Sequence, residues 1–195
     1  MKAARVLGVE VFHAQALEAE RRGVEVGRIN LERDRFPWAD ESVDHVVCNQ
    51  VLEHLKNVWL PLSEMHRVLK PGGVAVLSVP NLASLHNRLL LAIGRQPTSI
   101  RTFGPHVRGY TFREFVGVVT FGGAFDVVRT EGVGFPPLAP PWSSPLSRLF
   151  PRAAHTAIVV ARRTTTPAAW RAWLEQQRQE GVQTVFEDSV SPAVG

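Results

Sequence analysis

Several residues that can bind a ligand lie where apolar runs of the sequence end. Glu10 closes the first such run, and Cys48, Asn49 and Gln50 close the third. Because open α/β sheets bind ligands beyond the carboxyl ends of their strands, we expect these side chains or their backbone to face a cofactor. A glutamate in this position can accept hydrogen bonds from ribose hydroxyls, although an ordinary exposed glutamate at a strand end is the simpler alternative.

His54 follows the third apolar run by a few residues. Its imidazole titrates near neutral pH, which suits a general base or a residue of a substrate pocket. A structural histidine, hydrogen-bonded at the start of a helix, is an equally good interpretation of the same position. The sequence leaves both roles open.

A strand–helix–strand unit positions these residues. Residues 43–48 form a short β-branched run that indicates a strand buried on both faces. Residues 61–69 have apolar side chains at helical spacing, and Pro71 followed by Gly72-Gly73 ends that helix. Residues 74–79 form a second apolar strand, so the unit predicts parallel strands joined by a right-handed crossover.

The remaining segments predict an α/β fold, a three-layer sandwich with a mostly parallel sheet whose last strand runs antiparallel to its neighbours. Thr111 and Glu114 have the spacing of a capping box at the start of a late helix. We expect six strands and further helices from periodicity and turn residues. The strands are predicted near residues 5–11, 24–29, 43–48, 74–79, 125–133 and 156–162, and the other helices near 13–22, 82–93 and 168–180.

Two long segments of this unit resemble a known family. The segments FPWADESVDHVVCNQVLEHL and LSEMHRVLKPGGVAVLSVPN are similar to the central signature of the class I S-adenosylmethionine-dependent methyltransferases, in their type 11-like branch acting on small molecules. The resemblance extends from about residue 5 to residue 163. Its most specific parts, in order and at the family's spacing, are Phe36-Pro37, residues 51–55 and residues 67–73.

The resemblance implies S-adenosyl-L-methionine as the cofactor and assigns roles around it. It implies Glu10 as the ribose ligand and places Cys48, Asn49 and Gln50 beside the methionine portion. The adenine would lie near Asn30 and Leu31, where Asn30 replaces the family's usual aspartate. An amide oxygen still accepts one hydrogen bond, and Leu31 packs either on the ring or in the core.

The resemblance also bears on the substrate and on metal ions. The family's loop over the substrate corresponds to residues 97–110, which contain Arg101, His106 and Arg108 as candidate substrate ligands. Some relatives, such as the ubiquinone-pathway O-methyltransferases, link a Glu-x-x-Glu-His arrangement to a divalent cation. Gln50 stands where the first of those carboxylates would be, so we expect no metal ion.

Length and composition exclude several classes of protein. A chain of 195 residues with 45% hydrophobic content can bury one core, so we expect a methyltransferase domain over residues 1–163 followed by a linker, a short helix and a frayed tail over 164–195. No apolar run reaches the ~20 residues that span a bilayer, and the first residues do not resemble a signal peptide, which predicts a cytoplasmic protein with no membrane partner. One cysteine excludes an internal disulfide and a cysteine-cluster metal site.

The positive charge of the chain is concentrated in its middle. Residues 65–163 hold 12 Lys and Arg against 3 Asp and Glu, a net charge of +9, whereas residues 1–64 have a net charge of −3. We find no aromatic-basic repeat and no nucleic-acid module, so nucleic acid is not the expected partner. A small anionic methyl acceptor fits this distribution, and a solvated arginine-rich surface fits it as well.

The glycine-rich turn of the family's cofactor site has no counterpart in the sequence, and neither have the first strand and first helix that flank it. We therefore expect two open strand edges inside the sheet, poor binding of S-adenosylmethionine and possible self-association through those edges. Two interpretations follow, an S-adenosylmethionine-dependent methyltransferase or a catalytically inactive relative that acts as a binding or assembly subunit. A nicotinamide dehydrogenase fits less well, because its own glycine fingerprint is absent too.

Overall fold

Six strands and five α-helices make up the part of the chain that the computed structural model describes, which is residues 5–138, 141–165 and 172. The helices pack on the strands through apolar faces, and the predicted α/β fold is confirmed. In chain order the elements are β1 (Leu7–Val9), α1 (His13–Arg21), β2 (Glu25–Gly27), β3 (Val43–Asn49), a 3₁₀ turn (Leu52–His54), α2 (Trp59–Val68), β4 (Leu69–Pro80), α3 (Leu85–Ala92), α4 (Phe112–Thr120), β5 (Phe125–Val133), α5 (Ser143–Leu149) and β6 (Thr156–Arg163).

The described strands form two separate sheets. Strands β1 and β2 pair in parallel as a two-stranded sheet, and the other four follow the order β3-β4-β6-β5. Strands β3 and β4 are parallel, as the strand–helix–strand unit predicts. Strand β6 runs antiparallel to both of its neighbours, which confirms the prediction for the last strand.

The open edges predicted inside the sheet are present among the described residues. Strand β3 pairs with β4 alone, and β1 pairs with β2 alone. The expectation that β3 is buried on both faces is wrong, because Asp44 and His45 are exposed and the Val47 side chain is 72% exposed. Val47 therefore faces solvent, whereas Val43 and Val46 are partly buried and pack against the core.

The hydrophobic core lies between the four-stranded sheet and helices α2 and α4. Alternate residues of β4 and β6 are fully buried, as expected for one covered face of a sheet. Phe115 of α4 and Phe125 of β5 are the largest apolar side chains buried there. Burying one phenylalanine contributes about 1.5–3 kcal/mol, so this layer stabilises the scaffold that carries the site.

The turn before β3 is fixed to α2 by one side chain. The Arg67 guanidinium donates hydrogen bonds to Glu64, to Asp40 and to the carbonyl oxygens of Phe36 and Trp38. Arg67 and Glu64 are themselves buried, with side chains 9% and 2% exposed. This pair joins the Phe36-Pro37 segment to the first residue of the 67–73 segment.

Several boundaries differ from the sequence predictions. Strand β4 begins at Leu69 rather than at residue 74, because Leu69 already pairs with Val43 across an irregular register. Gly72 has φ +76°, and a Cβ on Gly73 would lie 2.9 Å from the Lys70 carbonyl oxygen, so both positions require glycine. The proline-rich stretch before β6 contains the short helix α5. The predicted helix at 168–180 lies outside the described residues, apart from position 172.

Helix ends follow the expected local chemistry. Thr111 and Glu114 form the predicted capping box at the start of α4, with both reciprocal bonds present. Helix α3 begins at Leu85 rather than at residue 82, because the Ser84 hydroxyl caps it by accepting from the Asn87 backbone N–H. In the described part of the chain, every helix is too short or too polar to cross a lipid bilayer.

Candidate active site

A polar network occupies the carboxyl end of β3 and its neighbour β4. The Ser78 hydroxyl donates to the Asn49 side-chain oxygen and accepts from the Gln50 amide nitrogen at 3.3 Å. The Gln50 backbone N–H donates to the Ser78 carbonyl oxygen at 3.0 Å. Gln50 has φ +56°, a left-handed conformation that is costly for a residue with a Cβ. Sequence reasoning missed Ser78. Its place in the network follows from the register of β3 and β4, in which Asn49 and Ser78 are partners.

Cys48 does not face this network. Its side chain is 5% exposed and belongs to the hydrophobic core. Burial raises the pKa of the Cys48 thiol to about 12, and the negative charge of Glu53 adds to the effect. The thiol therefore stays protonated at neutral pH, so any contact of Cys48 with a cofactor would be made by its backbone.

Glu10 lies directly after β1, as the sequence predicts. Its Oε1 atom accepts a hydrogen bond from the Phe12 backbone N–H at 2.8 Å, at the start of α1. Among the described residues Oε2 has no hydrogen-bond partner, so one oxygen of a half-buried carboxylate remains for a ligand hydroxyl. The chemistry of this position fits a ribose.

Asn30 and Leu31 follow β2 and are partly engaged in local structure. The Asn30 side-chain oxygen accepts from the Glu32 N–H at 2.9 Å, and the Asn30 N–H donates to Asp34 at 2.7 Å. Leu31 is half-buried and packs against the core.

Glu32 connects the two sheets near these residues. Its Oε1 atom accepts from the backbone N–H groups of Lys56 and Asn57, at 2.6 and 3.1 Å. The loop after β2 is thereby fixed to the segment that follows the 3₁₀ turn. Glu32 thus connects the segment of Asn30 and Leu31 to the region of the polar network at the end of β3, although β2 and β3 belong to different sheets.

Three ligand-type side chains meet beside the 3₁₀ turn. One oxygen or nitrogen atom from each of Glu53, His54 and His106 lies within 4.8 Å of the others. Glu53 is 1% exposed, and burial raises its pKa, while the charges of the two histidines oppose the rise. His54 and His106 also contact each other edge to face, with ring centroids 4.6 Å apart.

The substrate-loop candidates therefore separate into different roles. His106 joins His54 and Glu53, whereas Arg101 is exposed and free of this cluster. The Arg108 guanidinium donates to the carbonyl oxygens of Leu55 and Lys56. Arg108 is thus already used to fix the loop to the segment after the 3₁₀ turn.

A buried amide network holds the same loop to the end of β4. The Asn87 side chain donates to the Asn81 carbonyl oxygen and to the Ser99 hydroxyl, and it accepts from the N–H and the hydroxyl of Thr98. The Ser99 carbonyl oxygen in turn accepts from His106 Nδ1 at 2.8 Å. Asn87 therefore positions a cluster residue through the loop, which sequence reasoning did not anticipate.

Tyr110 completes the buried side of the site. It is 6% exposed, and its hydroxyl has no hydrogen-bond partner among the described residues. Burial raises the pKa of Tyr110 to about 12, against the lowering effect of Arg108. A buried hydroxyl without a partner is uncommon and is a possible contact for a bound ligand.

Comparison with known proteins supports a single family. The sequence profile described as a methyltransferase domain matches residues 1–77. A probable S-adenosylmethionine-dependent methyltransferase of Mycolicibacterium smegmatis is 34% identical over 131 residues, which cover 67% of this chain and 47% of that protein. An uncharacterised methyltransferase of Mycolicibacterium vanbaalenii is 42% identical over 69 residues, 35% of this chain and 26% of that protein. The chain spans less than half the length of these two relatives.

A solved structure confirms the fold. The crystal structure of an S-adenosylmethionine-dependent methyltransferase of Thermotoga maritima, described as a possible histamine N-methyltransferase, superposes with a TM-score of 0.61 and covers 84% of each chain at 15% identity. At that identity the likeness establishes the Rossmann-like fold and no substrate. Taken with the sequence matches, it supports a class I S-adenosylmethionine-dependent methyltransferase domain in this chain.

Proposed function

We propose that this domain transfers a methyl group from S-adenosylmethionine to a small acceptor. The observation that carries the proposal is the position of Glu10, Asn49 and Gln50 at the carboxyl ends of β1 and β3, where α/β folds bind ligands. The match to the methyltransferase-domain family supports the same conclusion. The free carboxylate oxygen of Glu10 fits a ribose hydroxyl, and the backbone after β3 fits an extended amino-acid chain.

Methyl transfer requires the protein mainly to align the cofactor with the acceptor and to exclude water. S-adenosylmethionine supplies an electrophilic methyl group when it is bound, and the acceptor displaces it in line. The residues of the chain need only hold both molecules in that line and desolvate them. His54, whose side chain is 38% exposed beside the cluster, can accept a proton from the acceptor as a general base while its Nε2 carries no other ligand.

The first test is titration of S-adenosylhomocysteine into the whole 195-residue chain by calorimetry. We expect a dissociation constant weaker than low micromolar, because no glycine-rich turn approaches this edge among the described residues. Glu10→Ala should weaken binding by roughly tenfold to a hundredfold, the effect of losing a charge-assisted hydrogen bond. Glu18→Ala, on the exposed face of α1, is the matched control. Equal affinity of Glu10→Ala and wild type would refute the ribose assignment.

We further propose that the acceptor is anionic and is bound by Arg101 and His106. The support is the net charge of +9 over residues 65–163 and the exposure of Arg101 at the rim of the loop. Arg101→Ala should raise KM for an anionic acceptor several-fold and leave kcat nearly unchanged, because it removes binding that is equal in ground and transition states. Arg95→Ala, another exposed arginine near the loop, is the control. Arg108→Ala should instead loosen the loop, since Arg108 bonds backbone carbonyls.

A second candidate function is a binding or assembly subunit without catalysis. The unpaired edges of β1 and β3 and the exposed Val47 favour it, because such edges are templates for pairing with another chain or a second copy. The same titration separates the two candidates. Absence of any S-adenosylhomocysteine binding, in a folded chain that associates through its edges, would support the subunit over the enzyme.

A further inference from the structure

The buried carboxylate of Glu53 lacks a compensating donor. Both of its oxygens are shielded from solvent, and neither has a hydrogen-bond partner among the described residues. A carboxylate in such a place is costly unless a proton or a cation neutralises it. Two histidine rings lie beside it, and His54 Nε2 is 3.8 Å from Glu53 Oε1.

The two histidine rings are held in an orientation that suits metal ligation. His54 Nδ1 lies 3.2 Å from the Pro105 carbonyl oxygen, and His106 Nδ1 lies 2.8 Å from that of Ser99. A carbonyl oxygen only accepts, so each Nδ1 must carry the proton of its ring. In the neutral ring Nε2 then has a free lone pair, and such a backbone bond to the other nitrogen is the usual support of a metal-binding histidine.

We propose that Glu53, His54 and His106 bind a divalent transition-metal ion. Two imidazoles and one carboxylate suit Zn²⁺, Co²⁺, Ni²⁺ or Fe²⁺ far better than Mg²⁺, which prefers oxygen ligands. The ligand atoms lie within 4.8 Å of one another, whereas tetrahedral zinc brings them to about 3.3 Å. Binding therefore requires the side chains to close in by rotation, for which the exposed His54 has room.

The third ligand of this site comes from an unexpected part of the chain. The expectation of no metal ion rested on Gln50, whose amide bonds Ser78 and leaves Glu53 as the single carboxylate. His106 takes the missing ligand's place from the loop after α3, some fifty residues further along the sequence. Spacing alone could not join them, because the loop is brought to Glu53 by the Val107 and Arg108 N–H groups, which donate to the Glu53 carbonyl oxygen.

The site keeps an open position on its solvent side. Three protein ligands leave a fourth coordination position for water or for an oxygen of a bound small molecule. The exposure of His54 places that position at the surface of the loop. The inference concerns metal binding alone and does not depend on methyl transfer, so its failure leaves the proposed function untouched.

Calorimetric titration of Zn²⁺ into the whole, metal-stripped chain tests the proposal. We expect one ion per chain and a loss of affinity of at least tenfold in each of Glu53→Gln, His54→Ala and His106→Ala. His13→Ala removes an exposed histidine on α1 and is the matched control, which should bind like wild type. Far-ultraviolet circular dichroism confirms that each variant is folded before its titration is interpreted.

Substitution with Co²⁺ gives a second, spectroscopic readout. Visible absorption of intensity typical of four-coordinate Co²⁺ should develop at one equivalent in the wild type and in His13→Ala, and should be lost in the three site variants. If Zn²⁺ binds folded site variants as tightly as wild type, or if folded wild type binds no metal, the proposal is wrong. In that case a proton, and not a metal ion, neutralises the buried carboxylate of Glu53.

Discussion

The carboxylate of Glu64 and the guanidinium of Arg67 form a buried ion pair that fixes the turn before β3. Besides Arg67, Glu64 accepts a hydrogen bond from the Phe36 N–H at 2.9 Å. Burial alone would raise the pKa of Glu64, but the hydrogen bonds from Arg67 and Phe36 and the charges of Arg67 and Arg35 lower it overall. The folded state therefore favours the ionised carboxylate.

Glu64→Gln should destabilise the domain by about 1.5–3 kcal/mol near pH 7, the cost of losing a hydrogen bond to a charged partner. Because the folded-state pKa is lowered, this stabilisation is fully present above the unfolded-state pKa of about 4.3 and disappears as the pH falls through the folded-state pKa. Urea denaturation of wild type and Glu64→Gln at several pH values measures the difference. Glu18→Gln, which removes an exposed ion pair, should change stability by less than about 1 kcal/mol.

A difference between wild type and Glu64→Gln that persisted unchanged to acid pH would contradict this account.

At the residue scale, sequence reasoning placed Glu10 correctly at a strand end, because an apolar run defines where a strand stops. It could not place the Cys48 thiol in the core or find the left-handed Gln50. Both depend on which face of β3 is covered, and that is a property of distant segments.

The loop of residues 97–110 shows what single elements contribute. Its conformation is set by the buried Asn87, which lies on α3 and is fully shielded from solvent. Its amide makes two donor and two acceptor bonds, and leaving buried partners unpaired costs about 1–3 kcal/mol each. The loop therefore depends on α3 as much as on its own sequence.

Asn87→Ala should release this loop without unfolding the sheet. We expect faster amide hydrogen exchange at Val107 and Arg108, whose N–H groups bond the Glu53 carbonyl, and little change in β4 and β6. Hydrogen–deuterium exchange followed by mass spectrometry measures this, with Arg88→Ala, an exposed position of α3, as control. Unchanged protection of the loop in a folded Asn87→Ala variant would show that other contacts hold it.

Sequence reasoning did well on regular elements and poorly on such connections. The capping box at Thr111 and the parallel pair β3–β4 follow from local chemistry and hydrophobic period, so both were predictable. The loop could be named as a substrate cover by resemblance, but the separate roles of Arg101, His106 and Arg108 could not. Side-chain partners across fifty residues are decided by packing, which no local pattern encodes.

At the scale of the whole molecule, β1 and β3 each have an edge that pairs with no other strand among the described residues. We expect concentration-dependent self-association through these edges, since unpaired backbone groups and exposed valines favour strand pairing. Val47→Lys should reduce it, because a charged side chain on an edge strand opposes pairing with another chain. Sedimentation velocity over a range of concentrations measures the effect, with Val107→Lys in an exposed loop as control.

A wild-type chain that sediments as a monomer at all concentrations would contradict the prediction.

At this scale the sequence predicted the layout of the sheet and the open edges, because the order of elements and their family resemblance define both. It wrongly predicted burial of β3 on both faces. Burial depends on what covers a strand, and a hydrophobic run shows only that a strand tolerates being covered.

The position of Cys48 has one more consequence. Only a thiolate reacts with alkylating reagents, and this thiol, the chain's single one, is buried in the core with a pKa raised to about 12. Modification of the native protein must therefore pass through a transient opening of β3. The ratio of the modification rate in the native chain to that in urea measures the opening equilibrium of this strand. The alkylation rate of Cys48 therefore reports on the opening of β3, the strand that leads to the candidate site. Any ligand or partner that covers the open edge of β3 should lower this rate.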